Sequence, residues 1–349
     1  MRYPPPRMRQ ILSLLFLSTI VALPAAAQDE PKPWFESTKI SALAFGDFYS
    51  ILENHDEELE GRNGFLLRRI YLTFDQKLSS SLSARLRFEA GQAGDFTSNT
   101  SLEPFVKDAW LRWRRTENMD FRFGIWQNAS FDTIEDLWGY RAVEKTPLDL
   151  QRWVSTRDFG IAMSGKLADP RFHYQAQVGN GSGTGTETNS GKKAAAVLGF
   201  APSSGTVFEL YADTEDRGSE DRTTLQAVGG YRGESYRFGA QYAKQQRKSP
   251  ASDLELDLAS VFAVWSLREN LNMIARVDRM FDPNPEGDRI AYLPFDPSAE
   301  STLVIAGVDF KLHKNLGVIP NVEWITYESG PAGAPDDDLF ARVTFYYSF

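Results

Sequence analysis

The sequence predicts an all-β protein, a transmembrane antiparallel β-barrel of about 16 strands with an inward-folded third loop. Three observations lead there. Segments of about ten residues alternate apolar and polar side chains, the period of a strand with one apolar face. Very short turns and longer polar loops join these segments by turns, the rhythm of a membrane barrel. Large aromatic residues gather on the apolar face near the short turns, where a barrel meets the membrane interface.

At the N-terminus, Arg2, Arg7 and Arg9 precede an apolar run over 11–23 and the small residues Ala25, Ala26 and Ala27. We expect a secretory signal peptide over 1–27, a periplasmic segment over 28–38 and the barrel over 39–349. The apolar run is short for a membrane anchor and breaks at Pro24. The chain has 349 residues and a formal charge of −9, and losing the three arginines moves it to −12. That charge argues against nucleic acid as a partner. Cysteine is absent, so stability must come from backbone pairing and packing. After residue 27 no apolar stretch approaches the ~18 residues of a membrane helix.

The last strand is the clearest. Leu339, Ala341, Val343, Phe345, Tyr347 and Phe349 share one face; Phe340, Arg342, Thr344, Tyr346 and Ser348 share the other. A final aromatic is similar to the last residue of outer-membrane barrels, so Phe349 is expected to be read by the barrel-assembly machinery. Upstream, short turns are expected near 79–81, 115–118, 168–170, 203–205, 232–234, 268–270 and 313–315. Longer loops fall near 53–63, 92–104, 127–157, 179–191, 214–221, 245–253, 281–300 and 329–338. Seven turns and eight loops join sixteen strands, which puts both strand ends on the short-turn, periplasmic side.

Faces follow from the alternation. Leu82, Ala84, Leu86 and Phe88 oppose Ser83, Arg85, Arg87 and Glu89, and Leu271, Met273, Ala275 and Val277 oppose Asn272, Arg276 and Asp278. A soluble sheet would turn the apolar face inward; a membrane barrel turns it to lipid. Phe74, Trp113, Phe121, Phe172, Phe200, Phe208, Tyr231, Tyr236, Trp265 and Phe310 lie near short turns on that face and favour lipid. The segments 39–52 and 254–266 are apolar on both faces, and their registers stay open.

The connection over 127–157 is much the longest, which in an economical barrel usually signals function. It carries Phe131, Leu137, Trp138, Tyr140 and Trp153, too many large apolar groups for a solvated loop. Folded inward they would be buried and would narrow the lumen; the other reading is an external lid. The candidate constriction residues on it are Asp132, Glu135, Asp136, Arg141, Glu144 and Lys145. On strands two to five the lumenal register holds Arg69, Arg85, Arg87, Arg112 and Arg122. Arginine keeps its charge and offers a rigid fork of donors to oxyanions, so this patch is a candidate anion path. Alternatively these arginines pair with Asp132, Glu135 and Asp136, giving a transverse field and little selectivity.

Four stretches carry a resemblance. They are 64–72 with its paired Arg68-Arg69, 121–127 leading into the third loop, Arg157-Asp158-Phe159-Gly160, and 174–181 ending in Asn180-Gly181. In order and spacing they resemble the phosphate-selective porin O and P family. The resemblance implies an outer-membrane homotrimer in lipid, an inward third loop and passive uptake of phosphate or related small anions, with no cofactor or metal. Two positions depart from the family pattern. Ala129-Ser130-Phe131 stands where Pro-Phe is usual, and Glu144-Lys145 where an acidic residue and arginine are expected. A general or cation-preferring porin, or a structural or adhesive barrel, are the other readings. An enzyme would need a nucleophile beside a base. His55, His173 and His313 fall on an external loop, a lumenal strand and a periplasmic turn, too far apart to cooperate.

Overall fold

The computed structural model describes residues 37–328 and 333–349, so the expected signal peptide lies outside the described residues. Among these residues sixteen strands form, beginning with β1 (Thr38–Glu53), β2 (Asn63–Lys77), β3 (Leu82–Ala90) and β4 (Phe105–Thr116). β5 (Met119–Gln127), β6 (Arg157–Lys166), β7 (Phe172–Gly179) and β8 (Lys193–Ser203) follow. Then come β9 (Thr206–Asp216), β10 (Asp221–Arg232), β11 (Tyr236–Lys248) and β12 (Asp253–Arg268). The last four are β13 (Leu271–Met280), β14 (Ser301–His313), β15 (Leu316–Tyr327) and β16 (Asp338–Ser348). Each pairs antiparallel with its sequence neighbours, and β1 closes on β16 with Leu43 opposite Ser348. Closure leaves no free edge, as a backbone in hydrocarbon requires.

Strand ends agree with the expected turns, with one difference. The fifth and sixth loops shrink to 217–220 and 249–252, because polar residues such as Asp216, Asp221, Lys248 and Asp253 still pair in the sheet.

The face assignment holds. Leu86, Leu198, Leu210, Val261 and Met273 are exposed outward, while Glu89, Gln177, Gln241, Arg276 and Arg342 on the opposite face are buried. Phe345, Tyr347 and Phe349 of the last strand also project outward. Near the short turns the aromatics pair across adjacent strands: Trp113 with Phe121 at 5.7 Å, Phe172 with Phe200 at 4.6 Å, and Tyr231 with Tyr236 at 5.6 Å between ring centroids. Such pairs contribute about 0.5–1.5 kcal/mol each beyond their burial.

The open registers now resolve. On β1, Phe45, Asp47, Tyr49 and Ile51 point inward, and on β12 so do Leu256, Leu258, Phe262 and Val264. Both strands are apolar on both faces because their inner faces are covered by loops rather than water. Ile134, Leu137, Trp138, Tyr140, Val143 and Leu150 of the third loop pack on Val228, Phe262 and Val264. The seventh loop, 281–300, also turns inward, placing Ile290, Leu293 and Phe295 in that same cluster. The sequence reading did not anticipate this second inward loop.

Candidate constriction and its charged wall

The third loop leaves β5 beyond Gly124, whose φ of +122° suits only glycine and where a Cβ would lie 2.1 Å from the Ala109 carbonyl oxygen. Asn128 accepts a hydrogen bond from the Ser130 amide at 3.1 Å and starts a short 3₁₀ turn, Ala129–Phe131. The helix α1 (Asp132–Trp138) follows and ends at Gly139, in left-handed conformation at φ 67°. Gly230 on β10 supplies the room for Leu137, since a Cβ there would come within 2.5 Å of it. The loop crosses the lumen, forms the single turn α2 (Pro147–Leu150), and returns to β6. The external-lid reading is thereby excluded.

Its return is held by buried charge. Arg68 donates to Glu144 at 2.7 Å and to the Val143 carbonyl at 2.6 Å, and lies 3.4 Å from Asp47. Asp47 also accepts from Thr344 at 2.6 Å and lies 3.3 Å from Arg342, which pairs with Glu323 at 2.8 Å. Arg342 in turn donates to the Tyr292 carbonyl of the seventh loop, and the Tyr292 hydroxyl donates to the Arg68 carbonyl at 3.0 Å. Arg276 donates to the Lys145 carbonyl at 2.5 Å with its guanidinium over Trp138. Burial raises the Glu144 carboxyl, but Arg68 and Lys145 pull it down to about 2. Glu144, expected at the constriction, therefore anchors the loop by its side chain, and Lys145 by its backbone carbonyl.

Facing the loop is the wall β2–β6. Arg69 and Lys107 (2.6 Å) both pair with Glu89. Asp108 takes Arg87 at 3.2 Å and Arg157 at 2.5 Å; Asp120 takes Arg112 at 2.5 Å and Arg114 at 3.7 Å. Three carboxylates thus serve six cations. Arg85 has Asp75 to itself, at 2.6 Å. Among the described residues Arg122 makes no ion pair, and its buried Nε finds no acceptor. Its guanidinium lies 5.9 Å from the Trp110 ring, which Arg85 also faces at 5.4 Å. So the five expected arginines do share one wall, and their carboxylate partners come from neighbouring strands rather than from the third loop.

On the loop side, Arg141 pairs with Glu135 at 3.2 Å and Asp149 at 2.5 Å. Asp136 points away to Arg232 on β10, at 3.0 Å. Burial pushes Asp132 up to about 6 although Arg122 opposes it, and burial brings Lys145 down to about 8.

Arg68, Lys107 and Arg157 were not among the expected residues. Strict alternation would turn Arg68 to lipid, but an extra residue in β2 opposite 45–47 of β1 brings both Arg68 and Arg69 inward. The same device opposite 87–88 of β3 turns both Lys107 and Asp108 inward. A signal existed: a charge on the lipid face costs about 2–4 kcal/mol at the midplane, so adjacent charged residues in mid-strand imply a bulge.

A family model described as phosphate-selective porin O and P matches residues 43–253. No curated protein matches the sequence. The fold is similar to that of an anion-selective porin from Comamonas acidovorans, with 10% identity, 90% of this chain and 99% of that one covered, and a TM-score of 0.68. It is similar to the outer membrane channel DcaP of Acinetobacter baumannii, at 14% identity, 89% and 97% covered, and a TM-score of 0.60. The trimer form of in-vitro folded OmpT from Vibrio cholerae gives 13% identity, 89% and 99% covered, and a TM-score of 0.61. At these identities the structures speak for the fold, and the family match, over more than half the chain, speaks for descent. The chain belongs to the phosphate-selective porin O and P family and is an outer-membrane porin.

Proposed function

We propose that this porin passes small inorganic anions, phosphate among them, in preference to cations, and that it works as a homotrimer. The observation that carries the reading is the wall on which Glu89, Asp108 and Asp120 are each shared by two cations. Each sharing leaves one positive charge uncancelled, and charges act more strongly in a narrow passage with low-dielectric walls than on an open surface. Across the passage, Glu135 and Asp149 share the single cation Arg141, which leaves one negative charge against the three positive ones of the wall. The trimer rests on the likeness to the trimeric Vibrio protein, and the outward Phe349 suits recognition by the assembly machinery. A channel rather than a catalyst is the reading: His55 pairs with Asp338 at the loop side, while His173 and His313 stand on β7 and β14.

The test is the zero-current potential of purified protein in planar bilayers across a tenfold potassium chloride gradient. A potential of the sign set by chloride is expected. Potassium preference would show that the loop carboxylates dominate and would overturn the reading in favour of a cation-preferring porin. Phosphate added at fixed chloride is expected to lower chloride current by competition; no effect would leave a general anion channel.

A further inference from the structure

Below the third loop, toward the short turns, the lumen opens into a cavity of 450 Å³. We propose that this vestibule is a binding site for organic monoanions with a flat apolar body, such as aromatic carboxylates, on the path through the channel. The proposal rests on the anion-preferring reading above and adds to it a substrate class.

Two walls of unlike chemistry carry it. One is apolar: Leu43 of β1 is partly exposed on it, with the buried Phe45, Val264 and Ile319 of β1, β12 and β15 packed behind. A channel for fully hydrated inorganic ions gains nothing from such a surface, because it offers a hydrated ion no partner. The other wall is cationic, and two of its cations are free. Arg237 and Lys311 line the cavity and make no ion pair with a carboxylate among the described residues. Arg237 donates to the Trp138 carbonyl at 2.8 Å and lies 5.8 Å from the Tyr140 ring, and its Nε has no acceptor.

Two carboxylates also face the space. Asp309 is met by neutral donors, the Tyr140 hydroxyl at 3.0 Å, Asn272 at 3.3 Å and the Tyr346 hydroxyl at 3.4 Å. Glu234 sits on the turn between β10 and β11, at the mouth. Neither engages Arg237 or Lys311. A carboxylate placed between those two gains charge-assisted hydrogen bonds, while a ring behind it covers Leu43. The volume lies within the roughly 300–1,000 Å³ of sites that hold small organic ligands.

The experiment is single-channel recording in potassium chloride with benzoate or acetate added on the side of the short turns. The two anions carry equal charge, so a difference reports the apolar wall. Benzoate is expected to block in discrete events at least tenfold lower concentration than acetate. Lys311→Gln is expected to weaken the benzoate block by several fold, and Leu43→Ser to weaken it while leaving the acetate block as it was. Equal blocking by the two anions, or a benzoate block indifferent to both substitutions, overturns the proposal. The reversal potential from the same bilayers keeps the two readings apart. Chloride preference with equal blocking refutes the vestibule site alone, and potassium preference refutes the anion-preferring reading beneath it.

Discussion

Arg122 is the wall cation that makes no ion pair among the described residues, so its neutralisation is the sharpest probe of ion preference. Arg122→Gln keeps a polar side chain against Trp110 and removes one positive charge. A unit charge about 6 Å from a permeating ion in water-like surroundings is worth about 0.7 kcal/mol, and screening over a Debye length of about 8 Å halves it. The anion loses this energy and the cation gains it. The anion-to-cation permeability ratio should therefore fall about threefold at physiological salt and approach tenfold in dilute salt. Reversal potentials at two salt concentrations measure both numbers. Arg171→Gln is the control, because Arg171 pairs with Asp169 on an exposed periplasmic turn, and it should leave the ratio unchanged. An Arg122→Gln channel with wild-type selectivity at both salts would refute the claim that the wall sets ion preference.

Three further outcomes are expected. Gly230→Val should displace Leu137 and loosen α1 from β10, raising conductance and current noise while the barrel still inserts; a quiet channel of wild-type conductance would count against the seating described. Selectivity should depend on pH with a definite sign. Asp132, pushed up to about 6, becomes neutral as pH falls from 7 to 5 and uncovers Arg122, so anion preference rises. Lys145, brought down to about 8, loses its proton as pH rises to 9, so preference falls; a flat profile in bilayer recordings would contradict both. Arg68→Ala leaves the buried Glu144 without its cation and should cost about 3–5 kcal/mol, read as a lower temperature of conversion from the folded to the unfolded band on gels.

Most of the barrel was legible because its physics is local. Where one face meets lipid and the other meets polar groups, as on β3, β13 and β16, alternation alone fixes the register. It failed where the inner face meets protein. β12 presents Leu256, Leu258, Phe262 and Val264 inward, a pattern that only the third loop, far away in sequence, explains. The third loop declared itself by length and by its tryptophans. The seventh, with Ile290, Tyr292, Leu293 and Phe295, met the same apolar criterion, yet its Pro-rich and acidic neighbours gave it the look of a solvated loop. The arginine patch was visible as a face, but the identity of its partners was not. Pairing across strands depends on register, and two bulges shift that register where Arg68 and Lys107 enter the lumen.

The buried cluster of Asp47, Arg68, Glu144, Glu323 and Arg342 makes a poor case as a source of stability. Replacing such a network by well-packed apolar side chains is often neutral or stabilising, because desolvation offsets the attraction. Its value lies in geometry. Asp47 stands on β1, Arg68 on β2 and Arg342 on β16, so the cluster straddles the seam at which the barrel closes. Glu144 from the third loop and the Tyr292 carbonyl from the seventh find their partners only there. Apolar packing on β10–β12 can hold a loop inside the lumen, but it is tolerant of sliding. An ion pair at 2.7 Å is not. Both loops are therefore tied to strands beside the seam, the third to Arg68 of β2 and the seventh to Arg342 of β16. The charged wall begins at β2, one strand from the seam that ties down the loops, so Arg141 and the shared cations of β2–β6 face the same passage.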